Sequence, residues 1–85
     1  MSNARFSPEA GDEYDRVIAI GGVLADRLDA AIDWIESDPP DKQAKARVWA
    51  GGFYGIDVRT YTDELLIIWR ETSPEPTIDY IGKPL

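Results

Sequence analysis

The run Asp63-Glu64-Leu65-Leu66-Ile67-Ile68-Trp69-Arg70-Glu71 decides how this chain folds. Its middle, Leu65 to Trp69, is apolar without interruption and is bracketed by charge on both sides. Such a run is far too short to cross a bilayer and is rich in strand-forming side chains. A strand that is apolar at every position is buried on both faces. Alternation puts Leu65, Ile67 and Trp69 on one side and Leu66, Ile68 and Arg70 on the other. What covers each side is the question the rest of the chain has to answer.

Working outward, Thr62-Asp63 supplies a turn into the run, and Phe53 to Tyr61 before it alternates as a strand. Tyr54, Ile56 and Val58 share one face there, while Asp57, Arg59 and Tyr61 share the other. Thr72 to Pro76 is a proline-containing loop, and Thr77 to Gly82 is a last short strand. Gly51-Gly52 reads as a turn. Lys42 to Trp49 is ambiguous: Gln43 to Ala46 favours a helical turn and Arg47 to Trp49 a short strand. Asp38-Pro39-Pro40 is a clear break.

Before that break the period changes from two to 3.6. Ser7 is a candidate N-cap, Pro8 suits the first helical position, and Glu9 suits the helix dipole. Ala10, Tyr14, Val17 and Ile18 share a face before Gly21-Gly22 ends the segment. A second helix, about Val23 to Glu36, carries Leu24, Leu28, Ala31, Ile32 and Ile35 on one face and Asp26, Asp29, Asp33 and Glu36 on the other. The carboxylates read as a solvated helix face, not a metal site. The expected fold is α+β: a single domain over 1–85, with a helical hairpin over about 8–37 packed on a three- to four-stranded antiparallel sheet over about 46–82. A further N-terminal strand around Arg5-Phe6 fits the pattern.

With 85 residues and neither cysteine nor histidine, the chain excludes disulfides, thiolate and imidazole catalysis and the usual zinc sites. No metal or cofactor is expected. Without a signal peptide or a long apolar run, a cytoplasmic protein with no membrane partner is expected. The net charge is −7, and all the excess lies in residues 1–41, which hold ten acids and three bases. Residues 42–85 hold six of each. That balance lacks a nucleic-acid footprint and suits a basic partner.

Laid out this way, the chain resembles the RelE/ParE superfamily of bacterial type II toxins, which includes plasmid-stabilisation proteins. The matching stretches are Phe6-Ser7-Pro8-Glu9-Ala10, Ile35-Glu36-Ser37-Asp38-Pro39, the pair Phe53-Tyr54-Gly55-Ile56-Asp57-Val58-Arg59 and Leu65-Leu66-Ile67-Ile68-Trp69-Arg70, and Ile78-Asp79-Tyr80-Ile81-Gly82-Lys83. The resemblance implies two helices against a curved antiparallel sheet and a cognate antitoxin protein as partner. It makes Leu65, Ile67 and Trp69 the core side, and Leu66, Ile68 and Arg70 the functional side.

The ribonuclease branch of that superfamily cleaves messenger RNA on the ribosome with basic side chains on the concave sheet face. Gly55 and Asp57 stand where it places lysines, Leu65 or Leu66 where it places an arginine, and Pro84 where another arginine follows the final glycine-lysine pair. A carboxylate repels a phosphate and a leucine donates no hydrogen bond. Arg59, Arg70, Lys83 and Tyr80 remain as candidate catalytic replacements. The gyrase-poisoning branch acts by binding and needs no catalytic set.

The reading therefore leans away from an enzyme and toward protein binding. Trp49, Tyr61, Leu66, Ile68 and Arg70 are the candidate contact residues, and a homodimer is a further possibility. The alternatives are an active ribosome-dependent mRNA endonuclease and a non-toxic interaction module that retains the fold. For Arg59 and Arg70 the plainer reading is ion pairing with Asp57 or Glu71. For Leu66 and Ile68 a partner or self-interface is favoured over closure by the sheet itself.

Overall fold

The computed structural model describes residues 4–37, 47–49, 51–73 and 75–84. Strand β1 (Arg5–Phe6) leads into helix α1 (Pro8–Ile20) and helix α2 (Gly22–Ser37). Strands β2 (Arg47–Trp49), β3 (Phe53–Arg59), β4 (Glu64–Arg70) and β5 (Thr77–Gly82) follow. The expected break at Asp38-Pro39-Pro40 and the helical turn at Gln43 to Ala46 lie outside the described residues.

Ser7 caps α1: its Oγ accepts from the Ala10 amide at 3.1 Å, and Pro8 follows at the first helical position. The same hydroxyl donates to the Asp79 carbonyl at 2.9 Å, which ties the start of α1 to β5. Between the helices Gly21 and Gly22 have φ of 76° and 85°, so the hairpin turns through two residues in the left-handed region.

The sheet order is β1-β5-β4-β3-β2, with the apolar run at its centre. The sheet thus departs from the expected three or four antiparallel strands. Strands β2 to β5 are antiparallel, and β1 adds a fifth that runs parallel to β5, making the sheet mixed. A parallel pair cannot be joined by a tight turn, and here everything from α1 to β4 lies between β1 and β5.

The helices cover one face. Leu65, Ile67 and Trp69 point into it with Val58, Ile78 and Ile81, against Ala10, Val17, Leu28, Ile32 and Ile35. Trp69 is wholly buried, stacked on Tyr54 at 5.8 Å between centroids and edge-on to Trp34 at 6.3 Å. Its indole N–H donates to Glu71 Oε1 at 2.5 Å, so the most buried aromatic keeps its one polar group satisfied.

One irregularity shapes the other face. Ile68 pairs with Tyr80 and Trp69 with Ile78, leaving Asp79 as an extra residue on β5. This β-bulge keeps Ile78 and Ile81 both in the core and turns Asp79 toward the side away from the helices.

Candidate functional site

The sheet face opposite the helices is where the candidate residues gather. Register places Phe53 beside Arg70, Gly55 beside Ile68, Asp57 beside Leu66, and Arg59 beside Glu64. From β5, Tyr80 stands beside Ile68 and Gly82 beside Leu66. Arg59, Leu66, Ile68, Arg70 and Tyr80 therefore share one surface, with Lys83 just beyond its edge. Tyr61 does not join them: β3 ends at Arg59, and Tyr61 sits fully exposed in the β3–β4 loop. Trp49 ends β2 opposite Phe53, and its expected partner contact rests on a side chain outside the described set.

Both arginines are occupied by carboxylates. Arg70 makes a two-pronged pair with Asp79, Nε to Oδ2 at 2.8 Å and a terminal nitrogen to Oδ1 at 3.0 Å. Its guanidinium carbon also lies 5.7 Å from the centre of the Phe53 ring. Hydrogen bonding and charge from Asp79 push the Arg70 pKa above its already high value, so it stays a cation. The expected partner Glu71 is wrong for Arg70, because adjacent residues on a strand face opposite ways; Glu71 serves Trp69 instead. Arg59 lies between its cross-strand partner Glu64 at 3.3 Å and Asp57, two residues back on the same face of β3, at 3.7 Å.

Tyr80 is also engaged. Its hydroxyl donates to the Lys83 carbonyl at 2.7 Å, and its ring lies over Gly82, where an added Cβ would meet the phenolic oxygen at 2.7 Å. Gly82 is the register partner of Leu66, so the ring lies beside that leucine. Leu66 is only 1% exposed although it faces away from the helical core. The chain closes over it without a partner, contrary to the sequence-based preference. Ile68 is half-buried. Lys83 is exposed and makes no ion pair among the described residues.

The acidic face of α2 is split among other tasks. Asp29 accepts the Tyr14 hydroxyl from α1 and, with desolvation, raises that phenol's pKa to about 12. Glu36 is pushed up chiefly by desolvation and by Asp33. Among the described residues no three carboxylates converge where a metal could sit. None of the described helices is long and apolar enough to cross a membrane.

Sequence reasoning missed a second surface, at the end of the molecule where the α1–α2 turn meets the β3–β4 loop. Ile20 and Val23 are 73% and 61% exposed there. Ile20 lies off the Ala10, Tyr14, Val17 and Ile18 stripe, which is the sequence signal for its exposure.

No family model, curated protein or solved structure matches the chain.

Proposed function

We propose that this chain is a RelE/ParE-like toxin-type protein that acts by binding other proteins, with a neutralising antitoxin as its cognate partner. The order of elements and the quoted stretches support the family reading. The observation that favours binding over cutting is the closed Arg70–Asp79 pair. A phosphodiester-cleaving site needs donors aimed at where charge develops on phosphate. Here two cations of the sheet face are already neutralised by Asp79, Glu64 and Asp57. The centre of that face is apolar, with Leu66 sealed in and Ile68 half-open.

The experiment is inducible expression in a bacterium, alone and with the short reading frame adjacent to the gene. Growth arrest that is relieved by the neighbour's product, with the two proteins eluting as one stoichiometric complex, is the expected result. Unimpaired growth on expression alone refutes the toxin reading and leaves a bare interaction module.

A further inference from the structure

Each large hydrophobic side chain that stands exposed among the described residues lies at one end of the molecule: Ile20, Val23 and Tyr61. Ile20 and Val23 line a groove of about 310 Å³ whose apolar lining also includes Val17 and Leu24, and whose opposite lip is Thr60, Thr62 and Asp63; Tyr61 lies between two residues of that lip but does not line it. Val17 is 2% exposed and forms the floor. The shape is fixed from both sides. Gly21 and Gly22, both at positive φ, bring Ile20 and Val23 to the mouth. In the facing loop the Thr60 amide donates to the Asp63 carbonyl at 2.9 Å, and Thr60 Oγ1 accepts the Asp63 amide at 3.0 Å. A contiguous apolar patch with a polar rim is the ordinary mark of a protein contact.

Charge says which kind of contact. Arg16, the cation at the rim, is spent on Glu13 at 2.6 and 2.9 Å. Asp63 is exposed and makes no ion pair among the described residues; its Oδ2 accepts only the Thr62 hydroxyl. The two helices whose turn forms the other wall carry eight acids against two bases. Two copies meeting here would oppose a net −7 with another −7, whereas a cationic segment gains steering and loses nothing.

We infer that this groove docks a basic amphipathic segment of a partner protein, whose apolar side chains fill the Ile20–Val23 mouth and whose lysines or arginines meet Asp63. The inference rests on the reading that the domain acts by binding a protein, though not on the toxin identity. The partner's class is set by the groove itself.

The test uses the whole chain, labelled with nitrogen-15, and a helical leucine–lysine amphipathic peptide, with its leucine–glutamate counterpart as control. The expected result is saturable binding of the basic peptide, with amide shifts concentrated at Val17 to Leu24 and Thr60 to Asp63, and no binding of the acidic one. Ile20→Ser with Val23→Ser should weaken binding about tenfold or more. Tyr61→Ala, at an exposed side chain outside the groove lining, should leave binding within about twofold; a loss equal to that of the double variant would place the contact outside the groove and overturn the inference. Shifts located elsewhere, or equal binding of both peptides, overturn the inference. So does concentration-dependent dimerisation that the double variant abolishes, which would assign the groove to a second copy. Growth arrest on expression tests the toxin reading separately, so either can fail alone.

Discussion

Replacing Leu66 with alanine tests whether the face away from the helices is closed by the chain itself. Leu66 is 1% exposed, between Asp57 on β3 and Gly82 on β5, with the Tyr80 ring lying on Gly82. Three buried carbons at about 0.8 kcal/mol each give about 2.4 kcal/mol, and a poorly collapsing cavity raises this to about 3–4 kcal/mol. A domain of this size has a total stability of about 4–13 kcal/mol, so the loss is a large share of it. At about 4–8 °C per kcal/mol, the midpoint should fall by at least about 10 °C. Urea unfolding of the purified chain, at two protein concentrations about fiftyfold apart, separates this from any self-association. Ile68→Ala, at a half-buried position on the same face, should cost about half as much. A Leu66→Ala loss below about 1 kcal/mol, unchanged with concentration, would show that the leucine is not sealed within the monomer and would refute the closure argument.

Three further outcomes follow from the same geometry. Ser7→Ala should cost about 1–2 kcal/mol by thermal or urea unfolding, since the hydroxyl both caps α1 and holds the Asp79 carbonyl. Asp79→Asn should leave stability within about 0.5 kcal/mol, because the Arg70 pair is exposed; a larger loss would mean that the bulge depends on it. Tyr14 should titrate at about pH 12 in ultraviolet absorbance, and Asp29→Asn should bring it back toward the usual phenol range. Because the folded-state pKa lies above the unfolded one near 10, the unfolded chain binds fewer protons between the two values. Stability contributed by that phenol is therefore complete below about pH 10 and lost as pH rises toward 12.

Much of the fold was legible because period and punctuation agreed. Ser7-Pro8 marked the start of α1, Gly21-Gly22 marked the turn, and the parity of Leu65, Ile67 and Trp69 marked the core side. The parallel pairing of β1 was not legible, since a two-residue strand has no period and its partner is about seventy residues away. The bulge at Asp79 was hidden for a related reason: Ile78 and Ile81 are spaced as on a helix, and only pairing with β4 shows that both can face inward. That single insertion decided the fate of Arg70. Strand parity allowed a partner among its neighbours but could not present a carboxylate from β5 at 2.8 Å. The exposed pair Ile20 and Val23 was readable as residues off the apolar stripes, yet its meeting with the β3–β4 loop is a tertiary fact.

With Arg59 and Arg70 both paired to carboxylates, the sheet face is proposed to bind protein and not to cleave RNA. The direct measurement is primer extension on a messenger RNA in a purified translation reaction, with the whole chain added in excess over ribosomes. The expected result is full-length extension product with no stop at any codon, with or without Arg59→Ala and Arg70→Ala. Cleavage at codons in the ribosomal A site, lost in the double variant, would contradict it.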